Sequence, residues 1–149
     1  MNPALTARLA LLRQKLDSYG KENQEDILHV LVQAINLISG QNRCRIYLED
    51  LTAGSLTCAA ASGRHAELIR QHTFPITSTE YLVSQVFHTR EEAYVVDVAE
   101  LTTPFIRQLA GQFEIKATVH LPLTHKNRAI GVVCIDSNQR RQLPGEQQL

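Results

Sequence analysis

The first forty residues carry their apolar positions with a helical period. Leu5, Leu9, Leu12, Leu16 and Tyr19 recur at alternating steps of four and three, the spacing of a coiled-coil seam, and Leu11 lies off it. Asn2 followed by Pro3 is a helix-start signal, since a capping side chain precedes a residue whose φ is already helical; a helix is predicted from about Pro3 to Ser18. Its stripe can be satisfied inside its own domain or against a second copy of the chain. Gly20 ends this helix and Asn23 can cap the next. Ile27, Leu31, Ala34, Ile35 and Ile38 then share one face as a core stripe, with Gly40 as the stop and His29 beside the stripe as a partly exposed residue.

After Gly40 the period changes to two. In "CRIYLEDLTAGSLTCAAAS", Cys44, Ile46 and Leu48 alternate with Arg45, Tyr47 and Glu49, and Thr52, Ala53 and Gly54 form the turn into a second strand bearing Leu56, Cys58 and Ala60. Setting Leu48 opposite Leu56 places Cys44, Ile46 and Cys58 on the same buried side. Gly63 to Thr73 is a polar connection with room for a short helix. Thr77 or Ser78 can then cap a helix whose Leu82, Val83, Val86 and Phe87 point inward, "AYVVDV" is a short buried strand, and Pro104 opens another short helix through Phe113. The last hairpin, "ATVHLPLTHKNRAIGVVCIDS", turns at Lys126 and Asn127. That turn puts Val119, Leu121 and Leu123 with Ile130, Val132 and Cys134, and Thr118, His120 and Pro122 with Gly131, Val133 and Ile135. Hairpins at both ends of the strand series predict an α+β fold with an antiparallel sheet.

The 149 residues suit one compact domain, and a hydrophobic fraction of 44% places the chain among globular proteins. Fifteen basic and fifteen acidic residues give a formal net charge of zero, which argues against a nucleic-acid or anionic-membrane footprint. The most apolar run, "ILHVLVQAINLI", is broken by His29, Gln33 and Asn36 and falls short of the ~20 residues that span a bilayer. The first residues lack the basic start of a secretory signal, and three cysteines without a C-x-x-C pair point to reduced thiols in the cytoplasm. The closing "LPGEQQL" reads as the opening of a helix, as expected of a piece of a longer polypeptide.

Three segments in order resemble the GAF family: "CRIYLED" its first strand, "VFHTREEAYVVDV" its helix and strand with a small-apolar-Asp ending, and "ATVHLPLTHKNRAIGVVCIDS" its closing hairpin with Pro-Leu, a polar turn and Ile-Gly-Val. The resemblance runs from about Glu22. It implies a PAS-related fold over residues 21–149, while the helix at 1–20, read from its own leucine spacing, is expected to hold a homodimer through Leu5, Leu9, Leu12 and Leu16. The expected sheet is six-stranded or similar, with terminal helices on one face and a ligand cavity under the middle helices on the other. It also implies a non-catalytic regulatory module that binds a small molecule, dimerises through its terminal helices, and works with an output domain of the histidine kinase, diguanylate cyclase, phosphodiesterase or transcription-activator type.

If the face of Cys44, Ile46 and Leu48 meets the first helices, Arg45, Tyr47, Thr118 and His120 look toward the cavity, where Tyr81, His88 and Phe105 from the middle helices complete the candidate ligand contacts. His120 interrupts an apolar strand, and a hydrogen-bonded structural histidine is the competing reading. The Asn-Lys and Asp-Glu signature of the cyclic-nucleotide-binding branch is missing. Cys44, Cys58 and Cys134 fall inside strands, unlike the pigment-bearing cysteine of the bilin-binding branch, and they lack the loop motifs of the family's free methionine sulfoxide reductase. Such a reductase, needing an accessible thiolate and a resolving thiol, is the rival from another class. Neither the seven-residue separation of His65 and His72 nor the pair His120 and His125 is a metal signature. No catalytic motif or cofactor is assigned by the sequence.

Overall fold

The structure is a computed structural model that describes residues 3–18, 24–101 and 110–139. Helices α1 (Pro3–Ser18) and α2 (Gln24–Ser39) form where the helical period places them. Glu25 and Asp26 in the first turn of α2 complement its dipole, and Gly40 takes φ +67 to end it in the left-handed conformation that glycine adopts without strain. The caps expected at Asn2, Gly20 and Asn23 and the side chains of Leu9, Leu12, Leu16 and Tyr19 lie outside the described residues.

Two hairpins form the centre of the sheet. They are β1 (Arg43–Asp50) with β2 (Ser55–Gly63), and β5 (Ala117–His125) with β6 (Arg128–Ser137). The short strands β3 (Phe74–Pro75) and β4 (Ala93–Val95) complete an antiparallel sheet of order β3-β2-β1-β6-β5-β4. Between the two hairpins, in chain order with β3 and β4, lie α3 (Ala66–Ile69), α4 (Leu82–Thr89) and a short 3-10 helix, η1 (Val98–Glu100). β1 and β6 approach closely at Gly131, where a Cβ would run into the carbonyl of Tyr47, so this position admits no side chain.

Both hairpins correct the expected registers, and for one physical reason. The turn at Lys126 and Asn127, both at positive φ, pairs His125 with Arg128 as the sequence suggests, but Ile130 is then left unpaired as a bulge. From there Leu123 faces Gly131, Leu121 faces Val133 and His120 faces Cys134. The partition across β6 is therefore reversed: Thr118, His120 and Pro122 share a face with Val132, Cys134 and Asp136, while Val119, Leu121 and Leu123 share theirs with Gly131, Val133 and Ile135. In the first hairpin Leu48 stands opposite Thr57, not Leu56, and Tyr47 opposite Cys58, until a bulge at Ala59 restores Ile46 opposite Ala60. Leu56 and Cys58 thus leave the side of Cys44 and Ile46 for that of Tyr47. A single inserted residue flips every side chain beyond it to the other face.

The helical layer covers the face of Cys44, Ile46, Leu48, Ala60 and Val133 with Leu28, Val32 and Ile35 of α2. This shifts the α2 stripe from its expected place, for Leu31 and Ile38 are 36% and 60% exposed. Helix α2 is apolar around more than one face, and packing on the sheet selects the residues flanking Val32. Ile27, Leu31, Ala34 and Ile38 do not take part in this cluster, and α1 packs on α2.

On the opposite face, α4 packs Val83 and Val86 against Tyr47, Leu56, Phe74, Val132 and Cys134, with Leu82 and Phe87 alongside as expected. Tyr81 is the N-cap of α4 and makes no side-chain capping bond, so the helix begins later than a cap at Thr77 or Ser78 would have it. Ser78 Oγ instead accepts from the Glu80 N–H, closing a local turn. Ser84 Oγ donates to the Pro75 carbonyl at 2.7 Å and ties α4 to β3.

Candidate functional site

A strand whose inward positions are Arg43, Arg45 and Tyr47 must find partners for two guanidinium groups in a layer that holds Phe74, Val132 and Cys134. It finds one carboxylate. Arg45 donates from Nε to Asp136 Oδ2 at 2.8 Å and from Nη2 to Oδ1 at 3.0 Å, a bidentate fork, and Arg43 Nε donates to the same Oδ2 at 2.9 Å. Thr118 Oγ1 donates to Oδ1 at 2.8 Å. Four donors therefore fill the acceptor capacity of Asp136. Arg43 is finished by the carbonyls of Arg64 and Phe113, and Arg45 Nη1 by Tyr47 Oη at 3.0 Å. Arg43, Arg45, Thr118, His120 and Asp136 are all buried.

Burial alone would push the Asp136 carboxyl up. The charge and hydrogen bonds of Arg45, then the charge of Arg43, outweigh it and hold the group well below the usual carboxylate range. Asp136 is thus an anion that only accepts, and the Thr118 proton is committed to it. The 3.0 Å contact between Thr118 Oγ1 and His120 Nδ1 must then be donated by the imidazole. Burial, reinforced by Arg45, pushes His120 down to about 3, so the ring is neutral at physiological pH. A neutral ring protonated at Nδ1 presents a lone pair at Nε2.

Three residues of this network, Arg45, Thr118 and His120, are among those lining a cavity of about 30 Å³ whose accessible surface is almost wholly apolar. Phe74, Tyr81, Leu82 and Val83 line it from β3 and α4; Val98, Leu101, Ala110 and Ile115 line it from the segment after β4; Arg45, Thr118 and His120 line it from the sheet. Phe74 stands between two aromatic partners, its ring centroid 5.1 Å from that of Tyr47 and 5.1 Å from that of Tyr81, both edge-on, which fixes the apolar wall. The arrangement supplies a cationic fork, a hydroxyl and a neutral imidazole at one side of an otherwise apolar space. It can bind and orient, and the Thr118 hydroxyl that lies beside His120 has its proton committed to Asp136.

A family model for the GAF domain matches residues 21–149. The chain belongs to the GAF family. It is similar in structure to the GAF domain of a phosphoenolpyruvate-protein phosphotransferase from Acinetobacter, with a TM-score of 0.72 and 17% identity over 99% of this chain and 86% of that one. It is similar to a free methionine-R-sulfoxide reductase from Neisseria meningitidis solved with its substrate, with a TM-score of 0.71 and 17% identity over 97% and 81% of the two chains. A segment of a methyl-accepting chemotaxis protein gives 0.69 and 20% over 95% and 85%. At such identities the likeness is one of fold. No curated protein matches the chain by sequence.

Of the GAF-domain positions expected to contact a ligand, Arg45, Tyr81, Thr118 and His120 line the cavity. Tyr47 lies behind them as a hydrogen-bond partner of Arg45. His88 is exposed near the end of α4, away from the cavity, because it falls on the solvent side of a helix that turns Val83 and Val86 inward. Phe105 lies outside the described residues. Sequence reasoning missed Arg43 and Asp136. The expected β6 partition stops at Ile135 and leaves Asp136 unplaced, yet two arginines alternating in an apolar strand are themselves a signal that a buried carboxylate has to face them.

The bulge at Ala59 also divides the thiols between the two faces. Cys44 is buried on the α2 side, while Cys58, half-buried, and Cys134, fully buried, lie on the cavity side. Burial pushes Cys44 up to about 12 and raises Cys58 and Cys134 as well, Arg45 opposing it only in part at each. Among the described residues no three His, Cys, Asp or Glu side chains gather as a metal site would require, and no helix is long and apolar enough to cross a membrane.

Proposed function

We propose that this GAF domain is a non-catalytic sensor that binds a small molecule in the cavity between the sheet and α4, and relays the bound state through its terminal helices to an output domain in a cytoplasmic signalling protein. The observation that carries this reading is the convergence of Arg45, Thr118 and His120 on one apolar cavity, each held in a fixed orientation through Asp136. A pocket of apolar walls with a few preorganised polar groups is what selective binding of a small ligand requires. The fold alone does not choose between sensing and catalysis, since a reductase and a chemotaxis protein share it. The thiols do bear on that choice. A nucleophilic cysteine needs a lowered pKa and access, whereas burial raises all three here.

The helical layer has a part in the same proposal. Ile27, Leu31, Ala34 and Ile38 repeat at steps of four, three and four, and the exposure of Leu31 and Ile38 leaves that seam only partly covered within one chain. A homodimer formed through α1 and α2 covers it and couples two cavities through shared helices. A module that dimerises and relays motion without a ligand is the second reading, favoured by the small volume of the cavity among the described residues.

Thermal unfolding against a panel of amino acids, small organic acids, nucleotides and inorganic ions separates the two. The sensor reading expects a compound that raises the midpoint, by several degrees once it is present at roughly 100 times its Kd, with the shift lost in Thr118→Val. A panel in which no compound shifts the wild-type protein more than this variant favours the relay.

A further inference from the structure

Two guanidinium groups and one carboxylate share the interior. The side chains of Arg43, Arg45 and Asp136 are only 3%, 2% and 2% exposed, so the cluster carries a net charge of plus one away from bulk solvent. Among the described residues, no other Asp or Glu is buried. The carbonyls of Arg64 and Phe113 satisfy hydrogen bonds of Arg43 but bring no net charge. An unbalanced buried charge is expensive and is retained where something neutralises it.

The two arginines are not equivalent in where they lead. Arg43 bonds to Asp136 and to backbone carbonyls, and is not among the residues lining the cavity. Arg45 lines the cavity and, among the described residues, uses three of the five N–H groups a guanidinium offers, one each on Nε, Nη1 and Nη2. One N–H on each of Nη1 and Nη2 is left. Asp136 has no acceptor capacity to spare for a ligand, so the free hydrogen-bonding capacity of the cluster is donating and its charge is positive.

We propose that the cavity takes a small oxyanion, a carboxylate or a nitrate-like planar ion, which meets the remaining N–H groups of Arg45 and neutralises the Arg43–Asp136–Arg45 cluster. This rests on the sensor reading and specifies the ligand class. Planar oxyanions match the guanidinium fork in shape as well as charge. A cavity of about 30 Å³ holds on the order of two waters, which fits an ion of three or four heavy atoms. Arg43 acts at a distance, as the source of the uncompensated charge.

Sodium acetate and sodium nitrate are the probes, each replacing an equal concentration of sodium chloride, with acetamide as the neutral analogue of acetate. The readouts are the thermal midpoint of the whole chain and the NMR signals of the Arg45 guanidinium. Acetate or nitrate is expected to raise the midpoint and shift the Arg45 signals while acetamide does neither. A response to acetate alone identifies a carboxylic acid as the ligand, and a response to nitrate alone an inorganic ion. Arg43→Met makes the cluster neutral without touching the cavity wall, and is expected to weaken the anion by roughly tenfold or more. The comparison of acetate with acetamide in the wild-type protein decides the matter even where that variant does not fold. Acetamide acting as well as acetate overturns the charge argument while leaving a ligand-binding cavity in place. Neither anion exceeding chloride overturns it too, and the wider metabolite panel then shows separately whether the cavity binds anything.

Discussion

Acidification from pH 7 to about pH 5 is expected to destabilise this domain, chiefly through the imidazole of His120. His120 in the unfolded chain titrates near 6.5, while in the fold it is pushed down to about 3 by burial and by Arg45, with Asp136 offsetting only part of the effect. In that window the unfolded chain takes up a proton that the folded chain refuses, so stability falls as pH falls. Working the two titrations through gives a loss of about 2 kcal/mol between pH 7 and pH 5. Asp136 does not contribute to this difference: its folded value is depressed, so its stabilisation is intact above the ordinary carboxylate range and is lost only on further acidification. His72, also lowered by burial and then by Arg45, acts with the same sign as His120, so a variant must isolate the latter. His120→Asn keeps an N–H that can reach Thr118 Oγ1 but does not titrate. Urea unfolding of both proteins at the two pH values should show the wild type losing about 2 kcal/mol more than the variant. Equal pH dependence, or a wild type that gains stability on acidification, would refute the buried, neutral His120 ring.

Thr118→Val removes the donor to Asp136 and the acceptor of His120 at nearly constant shape, and is expected to destabilise by about 1–3 kcal/mol in chemical unfolding; a neutral result would mean the network contributes nothing to the fold. Gly131→Ala drives a methyl into the Tyr47 carbonyl and should cost about 1–3 kcal/mol, an expectation contradicted by an unchanged urea midpoint. Cys44 and Cys134 are expected to resist alkylation until the chain is denatured, as read by mass analysis, and rapid labelling of either in the native state would revive the reductase reading. Leu31→Glu with Ile38→Glu is expected to give a folded monomer by light scattering, and a double variant that remains dimeric would place the interface elsewhere.

The sequence disclosed the elements better than it disclosed their registers. Period three-to-four and period two located α1, α2 and both hairpins, because backbone geometry imposes those repeats directly. Bulges leave no comparable trace. Ile130 and Ala59 are ordinary apolar residues in apolar strands, and nothing in their identity announces that each stands unpaired. The consequence is confined but decisive: Asp136, which Arg43, Arg45 and Thr118 contact directly and His120 through Thr118, is not among the expected site residues. Arg45, Thr118 and His120 were legible because a polar residue on an inward-facing position of an apolar strand needs a reason. His88 failed by the converse logic, since a polar residue at the end of an amphipathic helix needs none. The α2 stripe was ambiguous for a third reason, that a helix apolar on two sides does not say which side meets the sheet.

The central claim is that a small molecule binds where Arg45, Thr118 and His120 meet the apolar wall, and the most direct test is to map the binding site by NMR chemical-shift changes in the whole chain. With the compound that most raises the unfolding midpoint, the largest changes are expected at the Arg45 guanidinium, the His120 ring, Thr118, Tyr81 and Leu82, with smaller ones carried into α2. Changes confined to α1 and α2, with the Arg45 and His120 signals unmoved at saturation, would contradict a cavity sensor.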